Sequence, residues 1–235
     1  MDAENKEIDY AMGKLVKKND TKNNTQMITD KKTLQLYLDA DKFALGINRR
    51  FPRPFLDSIW RYERTLRYYE YHKNAGNKML RYIYSWLLTI RGERLGFSIS
   101  GNCFGPGLRI NHHGLLIVNA KARIGKWCDV HQGVNIGENG YIDEHGNAVS
   151  EVPQLGNFCF IGPGAKIFGN CHIGDNVRIG ANAVVNKDIP NNYTAYGNPL
   201  QMHTNKREII TVAKPEVEEQ FLNEYPQYKE LIKTI

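Results

Sequence analysis

An aliphatic or aromatic residue returns at every sixth position over 104–190, a period that very few chain folds can use. The series runs Phe104, Ile110, then after a two-residue slip Val118, Ile124, Val130 and Ile136, and after a longer interruption Leu155, Ile161, Ile167, Ile173, Ile179 and Val185. Gly or Asn follows at ten of these twelve positions, His131 and Phe168 being the exceptions. Both types tolerate the positive φ of a tight corner. Four places after the first residue stands a smaller set: Leu108, Ala122, Cys128, Val134, Cys159, Ala165, Cys171, Val177, Ala183 and Ile189. Each unit is therefore a short strand and a turn with one large and one small inward side chain. Three units close a triangular coil, and a coil buries its apolar face only by stacking on others, so the fold expected is a parallel β-helix. Amphipathic helices do not fit, because six is not 3.6 and each Gly would cost a helix about 1 kcal/mol.

The flanks read differently. Residues 1–29 are rich in Lys, Asn, Asp and Thr without apolar periodicity, which predicts a mobile N-terminal extension. Residues 30–95 predict an α-helical cap. Leu34, Tyr37 and Leu38 recur at helical spacing between an N-cap at Thr29 or Asp30 and a stop at Gly46. Pro52 and Pro54 then forbid helix. A second helix is expected over about 56–71, with Leu56, Ile59, Leu66 and Tyr69 on one face, and a third over about 78–94, with Leu80, Ile83, Tyr84, Leu87 and Leu88 inward. Such helices would cover the open end of the β-helix, whose backbone groups would otherwise lack partners. The β-helix domain is expected over 96–202, with a polar loop insertion at 138–154 leaving through one corner. A tail over 203–235, helical at about 215–224, would cover the other end or grip a neighbour.

Composition narrows the class. The N-terminal MDAENKEIDY carries charge where a signal peptide is apolar, and no stretch approaches a membrane span, so a cytoplasmic location is expected. Three of the four cysteines fall in the small inward set and none forms a Cys-x-x-Cys pair. A net charge of +6 comes from bases scattered among acids. That pattern speaks against nucleic acid and leaves cofactor phosphates or, at most, a weak peripheral contact with an anionic membrane.

The hexapeptide pattern resembles the left-handed β-helix acyltransferase superfamily over about 95–200. Within it, GPGLRINHHGLLIVN, HQGVNIG and IGPGAKIFGNCHIGDNVRIGANAVVNKDIP are similar to serine acetyltransferases and to O-acetyltransferases of bacterial surface polysaccharide, and the helical N-terminus looks more like the second group. The resemblance implies a homotrimer binding acetyl-CoA in the cleft between adjacent β-helices. It implies no metal.

Acetyl transfer from a thioester to a hydroxyl needs a base near neutral pKa, and histidine is the usual one. The family pattern places that base at His112, with His113 on a variable position. His131 stands nineteen residues on, about one coil, so it can share the edge and bind the acceptor or assist the base. Neither a Gly-x-Ser-x-Gly elbow nor an activated cysteine offers a covalent route. By the same resemblance acetyl-CoA would lie along Pro163, Ala181, Asn186 and Lys187.

The serine enzymes carry an Asp and a His in a Gly-x-Asp-Ile-His stretch where this chain has Gly96-Phe97-Ser98-Ile99-Ser100. Asn111 replaces their Asp before the catalytic His, and Val152 replaces a His before Pro153. An amino acid's charges would then be desolvated without partners, so the expected acceptor is a sugar or surface-polysaccharide precursor, met by Ser98, Asn111, Gln132 and Asn135. Serine O-acetylation is the alternative, and a non-catalytic β-helix trimer or a zinc enzyme are readings of another class.

Overall fold

The computed structural model describes residues 27–235, so the extension expected over 1–29 lies almost wholly outside the described residues. The repeat winds into a three-faced parallel β-helix. The first face stacks Phe97–Ile99, Leu116–Val118, Asn135–Gly137, Lys166–Phe168 and Val184–Val185. The second stacks Arg109–Ile110, Asp129–Val130, Phe160–Ile161, Arg178–Ile179 and Tyr193–Tyr196, and Gln201–Thr204 returns antiparallel to the last. Arg123–Ile124, Gln154–Leu155 and His172–Ile173 form the third. Every residue of both inward sets is at most 3% exposed, so the alternation of large and small side chains is the core itself.

Three helices precede the coils: α1 (Lys31–Ala44), α2 (Ser58–Asn74) and α3 (Lys78–Leu95). Asp30 caps α1, accepting from the backbone N–H groups of Lys32 and Thr33. Leu56, expected on the inner face of α2, lies before the helix and is 70% exposed. The reason is local: Asp57 pairs with Arg49 and accepts from the Arg53 backbone N–H, holding 53–57 as a turn. Ile83, expected inward on α3, is exposed at 44%, because α2 covers only one side of that helix.

The cap meets the first coil through buried charge rather than through apolar packing alone. Among the described residues the outer edge of that coil has no strand to pair with. Asp41 accepts from the backbone N–H groups of Gly107 and Leu108, each at 2.9 Å. Glu63 accepts from Ile110 at 3.0 Å, and Glu70 from Asn102 at 2.7 Å. Arg67 donates to the carbonyls of Phe104 and Gly105 and also binds Asp41 and Glu70 at 2.7 and 3.0 Å. Polar side chains thus replace the missing strand.

The insertion is an antiparallel hairpin, Asn139–Ile142 with Ala148–Glu151, that leaves the corner after the first face. The tail starts against the last strand, with His203 and Thr204 opposite Thr194 and Tyr193, but its helical part does not stay at that end. Helix Glu216–Glu224 and the residues after it fold back to the cap, where Val217, Phe221, Tyr228 and Ile232 pack with Leu36, Ala40 and Trp127. Among the described residues no helix is long and apolar enough to cross a membrane.

Candidate active site

Strand Arg109–Ile110 pairs with Asp129–Val130, which sets Asn111 beside His131 and puts His112 in the corner that follows. The two histidines expected to share an edge do so, their ring centroids 6.0 Å apart. His131 is half-buried against the Phe160 ring, 5.0 Å away. Its Nε2 stands 3.1 Å from Asn111 Nδ2 and 3.8 Å from the Asp129 carboxylate. Burial lowers its pKa, the Asp129 carboxylate opposes this, and His112 and Arg109 reinforce it. A neutral His131 therefore accepts at Nε2 from the Asn111 amide. His112 is exposed, and among the described residues nothing hydrogen-bonds its ring. His113 turns the other way, its Nε2 2.9 Å from Ser58 Oγ at the start of α2.

Asp129 is the hub that sequence reasoning missed. It is fully buried and receives Arg109 Nη1 at 2.9 Å and Thr211 Oγ1 at 2.8 Å. The signal was a carboxylate beside an inward Val, a place where the same row otherwise reads Arg109, Phe160 and Arg178. Thr211 could not have been found, since only the return of the tail brings it there.

The corners of this edge stack in one row. Gly133 donates to Leu115, Gly164 to Gln132 and Asn182 to Pro163, so Gln132, Pro163 and Ala181 follow one another down the molecule from the histidines. Gln132 Oε1 is buried without a partner among the described residues. Asn186 and Lys187, expected with Pro163 and Ala181 to meet the cofactor, stand on the next edge, beyond Val184–Val185 of the first face. Ser98 and Asn135 lie on that face in one row, each paired with Ile117. On the second face, Phe160, Arg178, Gly180, His203, Lys206 and Arg207 line a cleft of about 450 Å³. Among the described residues no three His, Cys, Asp or Glu side chains stand together as a metal site.

Residues 153–187 match the family model described as bacterial transferase hexapeptide (six repeats). A serine acetyltransferase of Synechococcus elongatus is 37% identical over 99 residues, 42% of this chain and 38% of its own length. One of Helicobacter pylori is 36% identical over 107 residues, 46% of this chain and 60% of its own. The chain thus spans less than two thirds of either. The crystal structure of a Brucella abortus serine acetyltransferase superposes with a TM-score of 0.56 at 24% identity, over 74% of this chain and 68% of that one. Fold and repeat define a left-handed β-helix protein built from hexapeptide repeats. Within that type, the chain is serine acetyltransferase-like.

This overturns the sugar and surface-polysaccharide acceptor, since these relatives are all described as serine acetyltransferases. The physical ground for that acceptor was the loss of an Asp and a His. It took no account of the buried Asp129, whose carboxylate lies 3.8 Å from His131 Nε2 and pairs with Arg109.

Proposed function

We propose that the protein is an acetyl-CoA-dependent O-acetyltransferase acting on the hydroxyl of serine, with His112 as general base. The observation that carries this reading is the pair His112 and His131 at the head of a straight row of corners. His112 takes the hydroxyl proton as the oxygen attacks the thioester carbon, and returns it to the departing thiolate. His131, held by the Asn111 amide and packed on the Phe160 ring, orients the acceptor. Asp129 is buried and paired with Arg109, so the two carry charge behind the histidines and do not contact the acceptor, and backbone N–H groups of the corners stabilise the oxyanion by about 3 kcal/mol per donor. Small residues at Pro163 and Ala181 leave room for an extended pantetheine arm. Lys187 stands on the next edge, from which it would reach the cofactor phosphates across the cleft between protomers, and Arg178, Lys206 and Arg207 are further cations on the second face.

Purified protein incubated with acetyl-CoA and serine is expected to release free CoA thiol and form O-acetylserine, detected by mass spectrometry. Thiol release without O-acetylserine would reject the acceptor, and no release with any hydroxyl compound would reject the activity.

The working unit we infer is a closed trimer, because one edge per protomer needs one neighbour to make a cleft and cyclic symmetry supplies it. Light scattering is expected to give three times the 26.9 kDa chain mass. A monomer with full turnover would show that the site is complete within one chain.

A further inference from the structure

Glu63, on α2, has no place in the chemistry above, yet it lies directly behind the strand that carries His112. It is fully buried, and one carboxyl oxygen accepts the Ile110 N–H at 3.0 Å, two residues before His112. Among the described residues strand Arg109–Ile110 is the outermost of its face, bonded on one side to Asp129–Val130 and on the other to no strand. Glu63 therefore supplies the missing half of its ladder. We propose that Glu63 is a positioning residue for the proposed base, fixing the height and direction of the His112 corner through the Ile110 amide.

Three observations support it. The same strand is gripped from its other neighbour by the Arg109–Asp129 bridge at 2.9 Å, so with Glu63 removed it is held along one edge only. The second oxygen of Glu63 is buried with no partner among the described residues. Retaining an orphaned polar atom costs stability, and a packing role would be met as well by Leu or Met. Burial and the nearby Asp41 hold the Glu63 carboxyl well above the usual range, with the Ile110 N–H, Arg67 and Arg109 opposing, and in either charge state the oxygen facing Ile110 accepts. Glutamine reproduces that acceptor and aspartate, one methylene shorter, does not reach it.

The inference rests on the acetyltransferase reading with His112 as base, and the test separates the two. Glu63→Gln is expected to keep kcat within about threefold, whereas Glu63→Asp lowers kcat about ten- to a hundredfold with KM for acetyl-CoA nearly unchanged, as misplacement of a base does. Amide hydrogen exchange of the 109–114 segment is read on the same proteins, with faster exchange expected in Glu63→Asp than in Glu63→Gln. Equal losses of kcat in both variants, or full kcat in Glu63→Asp, would overturn the positioning role. A wild-type protein without turnover fails the functional reading alone, and the exchange difference then still decides whether Glu63 holds the strand. Identical exchange in the two variants would refute it.

Discussion

Replacing His112 with Ala lowers kcat by at least about a hundredfold and leaves acetyl-CoA affinity almost unchanged, the outcome expected when a general base is removed from an otherwise intact cleft. His112 is exposed at a corner and touches the core nowhere, so the variant should fold and melt like the parent. His113→Ala is the internal control. Its ring meets Ser58 and not His131, so that change should cost little turnover. If His113→Ala does the damage and His112→Ala is mild, the base has been placed one residue early, and the contact with α2 would have to be part of the catalytic geometry. His131→Ala should fall between them, mainly in the KM for the acceptor.

Arg67→Met is expected to cost stability more than any change at the site. The guanidinium is fully buried between Asp41 and Glu70 and bonds two carbonyls of the first coil. Methionine keeps the stem but leaves both carboxyls and both carbonyls without their donor. Breaking a buried pair in this way costs about 3–5 kcal/mol, or roughly 10 °C in melting temperature for a chain of this size. Burial already holds Asp41 and Glu70 above the usual carboxylate range, and Arg67 opposes that rise. Without it they rise further. A carboxyl whose pKa is raised in the fold loses stability as pH climbs from its unfolded value, about 4, toward its folded one. The deficit of the variant should therefore widen from acid to neutral pH, followed by thermal unfolding in a pH series. A melting temperature within about 2 °C of the parent at neutral pH would show that the network contributes little.

These two results bear on different halves of the molecule, and the halves differed in how far they could be read. The coils were legible almost residue by residue, because the inward sets Phe104 to Val185 and Leu108 to Ile189 are dictated by a period that leaves one way to bury them. The cap was legible as helices but not as a device. Asp41, Glu63, Arg67 and Glu70 sit at ordinary helical positions, and nothing in their spacing says that they serve as the missing strand. Leu56 and Ile83 misled for the converse reason, since an apolar side chain at helical spacing is buried only where a second element arrives to cover it.

The site divides along the same line. Local pattern alone placed His112 and His131 on one edge, since a coil of about eighteen residues returns the chain to the same corner, and the ring separation of 6.0 Å agrees. It misjudged the electrostatics of that edge. Asp129, Arg109 and Thr211 come from two coils and the returning tail, and their meeting depends on distances through space that no period encodes. Only the triangular cross-section shows that Asn186 and Lys187 stand on a different edge from Pro163 and Ala181. Sequence by itself determined the repeat and its inward sets, because those follow from which side chains a six-residue unit can turn inward. The candidate base came from the family resemblance, and the positive φ of the corners falls two places after the Gly and Asn positions, as at Gly107, Trp127 and Gly164. Only the tertiary structure decided which charges face one another, because burial and pairing depend on elements far apart in the chain.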